Sequence, residues 1–569
     1  MAEAVTFTGL GSGIDLKSIV DAMVETEKLR YVQPLEDWKS HWTEMSTAFS
    51  TLDTKLASFH STVKSMDTPS EFLVNTATSS DSGVATASST SGAVEGSYEI
   101  EVFALAQADK QIHSGFADAD TTALISGADA VFSYTYDGTT IEIDVTDGQT
   151  TLTDLADDIN SDPSNPGVIA SVLDDGLGDL NTSFHLILAG ETTGSDYEIT
   201  INTDATDPLT GFLAANFDNS THMAQDAEIT IDGYPTGGTY ITRSSNTISD
   251  VISDVTLNLT GADAAGVSAT ITISTDTAAI KENITTFIDE FNEIREYIKE
   301  QTSYNTDTNE AGILLGNYGA DIVKNNLNEI MSSTATAFRD EYDTFINLMQ
   351  IGIYTDASDG SETQGQLVID EAVLSEALAD NPQAVADLFA DYYSGRSAHS
   401  DIVFDSYVPT ITEAGTYEIY FNSSDRNLDG GVQMRISGGE WHDAEWVEGA
   451  QTITGLEGPE AGLVVKITDP GSTISKSNPG EIDLKLGILG TLTEELDSLT
   501  NTNTGPMSVL EENYQDIIDS IDEKIEREED RISLYQQRLE ERYARLEALL
   551  TELNGQSSML ENQINQLGN

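Results

Sequence analysis

Both ends of the chain carry an apolar stripe whose steps alternate between three and four residues. From Leu35 it runs Leu35, Trp38, Trp42, Met45, Phe49, Leu52, Leu56, Phe59, Val63, Met66. Near the other end it runs Tyr514, Ile518, Ile521, Ile525, Glu528, Ile532, Tyr535, Leu539, Arg542, Leu546, Leu549, Leu553, interrupted only by Glu528 and Arg542. Such spacing keeps a narrow seam on one side of a helix, the pattern of a coiled coil. At ~1.5 Å per residue the two helices span roughly 50 and 60 Å, too long for the core of one compact domain. Each stripe needs a helical partner, and the simplest partner for each is the other. The expected fold is a multidomain α+β chain: a long helical stalk from the two ends, its middle held away from both. Glu528 and Arg542 read equally as solvated gaps or as charges that fix register across the seam.

The middle has a different period. From roughly 76 to 275, runs such as Ser97–Val102, Thr140–Val145 and Ala227–Gly233 alternate with period two and are separated by Gly, Asn and Asp turns. One helix, 152–160, interrupts them. This predicts antiparallel sheet in two small domains: 76–112 with 222–275 nearer the stalk, and 113–221 nested inside it. Helical spacing returns at 277–302 and in shorter stretches around 317–335, 370–380 and 382–393. Together these give a helical stalk domain over 276–395. A further β domain is expected at 396–482, where Thr416–Phe421 and Leu463–Ile467 alternate. The stalk helices themselves occupy 34–75 and 483–554. Segments 1–33 and 555–569 are amphipathic with few local partners. They read as mobile legs carrying Leu10, Ile14, Leu16, Ile19, Val20, Leu560, Ile564 and Leu567, with Asp15 as an N-cap and Pro34 as a helix breaker.

Composition narrows the function. The 98 Asp plus Glu against 25 Lys plus Arg give a formal charge of −73. A surface so acidic repels nucleic acid and anionic lipid, which argues against nucleic-acid binding, and no ~20-residue apolar run argues for membrane insertion. The acids lie within apolar, patterned sequence, so the chain is expected to fold, and to self-associate better where salt screens like charges. The amino terminus shows neither a basic stretch nor an apolar core of a secretory signal. Cysteine is absent. That fits a reduced cytosolic protein or one exported unfolded, for which a stray disulfide is a hazard.

No catalytic constellation is visible. The seven histidines (His41, His60, His113, His185, His222, His399, His442) lie outside metal-ligand spacing, and no nucleophile elbow appears. Gly9–Gly13 reads as linker rather than phosphate loop. Asp425, Asn427 and Asp429 match the first half of a calcium loop. Ile436 stands where the bidentate Glu is required, so a plain acidic turn is the preferred reading. No enzyme, cofactor or metal is expected.

One resemblance gathers these features. Phe7-Thr8-Gly9-Leu10-Gly11-Ser12-Gly13-Ile14-Asp15, followed by Ile19-Val20 and Glu27-Lys28, resembles the opening signature of the bacterial flagellar filament cap family, also called hook-associated protein 2. Further matches are Gly96–Val102 with Leu105-Ala106-Gln107, Arg243–Ile248 with Val255-Thr256-Leu257, and Ile351-Gly352-Ile353 with Gly365–Asp370. The segments Leu546–Leu553 and Leu560–Leu567 resemble the family's carboxy terminus. The insertion at 396–482 departs from the basic family pattern. The resemblance implies a secreted cap at the filament tip that guides flagellin into place and prevents its loss. It implies a ring of copies, a pentamer, and dealings with an export chaperone, the type III export apparatus and the hook-filament junction protein. The alternatives are a surface adhesin acting through the Ser/Thr-rich β domains and a flagellin-type filament subunit.

Overall fold

The computed structural model describes residues 15–177, 182–202, 209–305, 309–361 and 363–567. The chain divides into two compact units, one built from both ends (1–72 and 280–569) and one from 73–279. Helices are α1 (Leu16–Tyr31), α2 (Gln33–Lys64), α3 (Pro69–Phe72), α4 (Leu152–Ser161), α5 (Thr277–Thr302), α6 (Tyr318–Ser332), α7 (Glu371–Asp380), α8 (Pro382–Ala390), α9 (Ile488–Thr500) and α10 (Pro506–Leu567). Among the described residues no helix is long and apolar enough to cross a membrane.

In the first unit, local chemistry sets the helix starts. Asp15 accepts the Ser18 N–H and caps α1; Asn317, Asp370 and Asn381 do the same for α6, α7 and α8. The helix break expected at Pro34 is present: α1 ends at Tyr31, and Pro34 stands in the first turn of α2, where its missing N–H is no loss. One expectation is corrected: α10 does not stop near Leu553. It continues through Gly555 to Leu567, because one glycine costs a helix only about 1 kcal/mol.

The same unit holds the expected extra β domain. Eight strands run in the order Tyr392–Ser397, Gly480–Leu486, Gly415–Phe421, Val432–Ile436, His442–Val447, Thr452–Gly455, Val464–Ile467, Ile402–Ser406. The sheet curls until its edges meet. Phe404 on the last strand fills the space where Gly395 on the first has no side chain. Tyr417, Ile419, Phe421, Met434, Val465 and Leu484 form the enclosed core. The acidic turn at Asp425, Asn427 and Asp429 is held by its own groups. Asn422 donates to the Asp425 carboxylate at 2.9 Å, and Arg426 binds Glu448 at 2.8 and 3.0 Å. Asp425, Asn427 and Asp429 belong to no cluster of three or more His, Asp or Glu able to hold a metal; the described residues contain no such cluster.

The second unit has two cores. Strands Asn75–Ser79, Val267–Thr275, Gly96–Ala104, Ala227–Ile231 and Ile241–Arg243 make one sheet in that order. A second sheet of Thr247–Ile252, Val255–Leu259 and Ala85–Ser89 closes over Ile100, Val102, Ile229, Leu257 and Ile271. The nested module has its own core of Phe132, Tyr134, Tyr136, Leu155, Ile159 and Leu188. Its sheets run Phe217–Asp218, Lys110–His113, Phe184–Gly190, Val168–Asp174 and Thr139–Val145, Ala130–Tyr136, Thr200–Ile201. The strand Lys110–His113 crosses the expected 112/113 boundary and pairs within the nested module. A capping box between Thr151 and Asp154 starts α4 at the base of this core.

Candidate functional site

The two terminal stripes meet, and they meet antiparallel. Tyr514 packs edge-on against Phe49 (ring centroids 5.6 Å) and tilted against Trp42 (5.8 Å). Further along α10, Asp522 binds Lys39 at 2.6 Å and the Lys524 ammonium lies 5.0 Å over the Trp38 ring. Arg531 lies 4.2 Å over Tyr31 and 3.6 Å from Glu27, and the Tyr543 hydroxyl reaches the Met23 sulfur at 3.9 Å. As the number on one partner rises, the other falls. Cross-helix charge pairing is thus made by Lys39 with Asp522 and Arg531 with Glu27, while Lys524 lies over the Trp38 ring. Glu528 bonds Arg531 on its own helix, and Arg542 is exposed.

Burial along the seam follows the number of helices that cover it. Phe49, Leu52, Leu56 and Phe59 are fully enclosed, because α5, α6 and α9 close around this part of α2. Phe59 stacks on Phe287 at 5.5 Å, and Tyr297 donates to the Ala48 carbonyl at 2.7 Å. Gly319 at the start of α6 lets that helix approach: a side chain there would collide with the Phe49 ring and Leu510. Ile518, Ile521, Ile532 and Leu539 are also buried. Leu35, Trp42, Met45, Ile525 and Tyr535 are half-buried and Trp38 is exposed, since two helices alone cannot enclose a seam. Leu546, Leu549 and Leu553 lie on the surface. Their expected burial is corrected: α1 begins at Leu16 and nothing among the described residues covers them.

The leg residues divide in the same way. Leu16 and Val20 are buried; Val20 and Val24 join Val32, Ile532 and Leu539 in one cluster. Residues 16–33 therefore have local partners, which corrects the expectation of a mobile segment there. Ile19, Leu560 and Ile564 are exposed. Leu10, Ile14 and the Leu567 side chain lie outside the described residues.

Two acids missed by the apolar pattern sit beside this seam. Burial pushes the carboxyl groups of Asp53 on α2 and Glu511 on α10 upward, and the Asp53 charge pushes Glu511 further. An acid that holds its proton more tightly when folded stabilises the fold at low pH. That contribution disappears as pH rises through the window between its ordinary and raised values. Glu511→Gln should therefore raise stability by about 0.5 kcal/mol at pH 7, the scale of a relieved like-charge helix pair, and leave it unchanged at pH 3. Urea melts at the two pH values measure this.

The arrangement is a paired helical rod, and among the described residues its outer apolar stretch at Leu546, Leu549 and Leu553 has no cover. A family model for the flagellar hook-associated protein 2 C-terminus matches residues 224–555, and one for the N-terminus matches residues 12–109. The chain belongs to the flagellar hook-associated protein 2 family. Among its relatives, the B-type flagellar hook-associated protein 2 of Pseudomonas aeruginosa is 28% identical over 404 residues, 67% of this chain and 79% of that protein. The hook-associated protein 2 of Escherichia coli K12 is 28% identical over 398 residues, 68% and 80% of the two chains. A crystal structure of the flagellar cap protein FliD D1-D2-D3 domains from Escherichia coli is similar at 27% identity. The match covers 61% of this chain and 90% of that one, with a TM-score of 0.47. As a hook-associated protein 2 the molecule is a structural cap of the flagellar filament, outside the cell at the distal tip. Such caps oligomerise and sit on the filament with flagellin. Neither the adhesin nor the flagellin-type alternative is favoured.

Proposed function

We propose that the uncovered outer part of α10 is the surface with which this cap grips the filament end and steers incoming flagellin. One observation supports the reading. Beyond Tyr543 the seam continues through Leu546, Leu549, Leu553, Leu560 and Ile564, all of them exposed. An apolar stripe on one face of a solitary helix is a docking surface for another helix or groove. Among the described residues nothing covers it, and engagement with the filament end would supply that cover. Release and re-engagement of these helices would let each flagellin enter without covalent chemistry, and the docked ring would hold back subunits not yet in place. The double change Leu549→Glu with Leu553→Glu should leave thermal unfolding of the purified cap unaltered while flagellin escapes into the medium. Normal filament growth by that variant would reject the reading.

The working assembly is a ring, a pentamer in this reading, delivered unfolded with an export chaperone through the type III apparatus and seated first on the hook-filament junction protein. A cysteine-free chain suits that route. Ring formation must overcome the formal charge of −73, and between residues 73 and 279 only Lys110 and Arg243 offset the acids. Raising salt from about 0.1 to about 1 M shortens the screening length from ~10 to ~3 Å. Electron microscopy and light scattering should then find rings at high salt and smaller species at low salt; the opposite trend would count against charge-limited assembly.

A further inference from the structure

The nested module of the second unit ends on one side in the strand Val168–Asp174, which pairs only with Phe184–Gly190 among the described residues. A bare edge offers every second N–H and C=O to another chain. Here two asparagines occupy those places. Asn160, in the last turn of α4, accepts the Ala170 N–H at 2.8 Å and donates its amide to the Ala170 carbonyl at 2.8 Å. Asn165 accepts the Val168 N–H at 2.8 Å and donates to the Val168 carbonyl at 2.7 Å. Each side chain reproduces the two bonds that a neighbouring antiparallel strand makes at a hydrogen-bonded position. Asn165 also shapes its own turn, through the Ile159 carbonyl at 2.9 Å and the Gly167 N–H at 3.1 Å. Both side-chain bonds of Asn160 go to the strand edge.

The guarded edge is self-complementary. Ile169 and Leu173 stand on its outer face, 51% and 48% exposed, with Ser171 between them. Suppose a second copy added its own Val168–Asp174 antiparallel about Ser171. Ala170 would then oppose Val172, Val168 would oppose Asp174, Ile169 would cover Leu173, and the two serines would face each other. No like charges would meet. We propose that Asn160, backed by Asn165, is an edge-blocking residue that keeps this strand from pairing with the same strand of a second copy. In a protein that gathers several copies at one place, an open edge would trap them in the wrong contact.

The absence of cysteine makes the test direct. Ser171→Cys introduces a single reporter into the full-length protein. In the pairing described, the two residues would occupy a non-hydrogen-bonded position with Cα atoms about 4.5 Å apart, within disulfide reach. Under mild oxidation Ser171→Cys alone should remain uncross-linked. Adding Asn160→Ala should shift it to disulfide-linked dimers at the same concentration. Adding Ala170→Pro as well removes an outward-pointing N–H without touching the ladder to Phe184–Gly190, and should return the protein to the uncross-linked form. A variant that had merely unfolded would go on cross-linking with the proline present. Equal cross-linking with Asn160 intact, no cross-linking after its removal, or no reversal by Ala170→Pro overturns the proposal.

Discussion

Replacing Asp483 with alanine should cost about 3–5 kcal/mol, the penalty for removing one partner from a buried charge network. Asp483 has no exposed surface. It accepts Arg339 Nη2 at 2.7 Å and Nε at 3.1 Å, Arg396 Nη2, and the Thr416 hydroxyl at 2.8 Å. Arg339 also holds Glu481 at 2.6 Å, and the Arg396 guanidinium lies 3.8 Å over the Tyr342 ring. Beside it Lys485 binds Asp343, both nearly enclosed. These groups join the β domain to the segment following α6. The alanine variant leaves two guanidinium groups without their shared carboxylate in a site that water enters poorly. Urea unfolding followed by tryptophan fluorescence reads the loss through Trp441 and Trp446. Asp483→Asn, which keeps the shape and can accept from one arginine, should lose less. A cost for the alanine variant below about 1 kcal/mol would mean the network is solvated after all.

Phe49→Ala should be about as damaging, at roughly 3–5 kcal/mol, because a fully buried ring leaves a cavity its neighbours cannot close. Phe49 touches Tyr514 and fills the space opposite Gly319, so α2, α6 and α10 all lose contact at once. Leu549→Ala lies on the same seam by sequence. Its side chain is 60% exposed, and it should change the stability of the purified subunit by no more than about 0.5 kcal/mol. Denaturant melts of the two variants separate the covered half of the stripe from the uncovered half. Equal costs would place a partner over Leu549 in the free subunit.

The stalk was legible because three-four spacing is helix geometry written in sequence, and Tyr514 does face Phe49 and Trp42. What spacing cannot express is how many helices cover each stretch. Phe59 and Trp38 occupy equivalent positions, yet Phe59 is enclosed beside α5 while Trp38 stays exposed with the Lys524 ammonium over its ring. Gly555 misled for a related reason: its local cost is small beside the helix that continues on either side. The charged joint of the β domain was invisible. Asp483 and Lys485 sit in a short strand where alternation reads them as solvent-facing, and Arg339 lies far away in the chain. Asn160 and Asn165 carry no pattern at all; their role appears only when the edge strand they face is known.

Hydrogen exchange read along α10, with and without filament ends, tests the central claim most directly. In the isolated subunit, amides from Ile518 to Leu539 should exchange slowly, being paired with α1 and α2, while those from Leu546 to Ile564 exchange fast. Bound to filament ends, the second stretch should slow and the first should stay as it was. Slow exchange throughout the free subunit, or no slowing on binding, would contradict the assignment of the uncovered seam as the gripping surface.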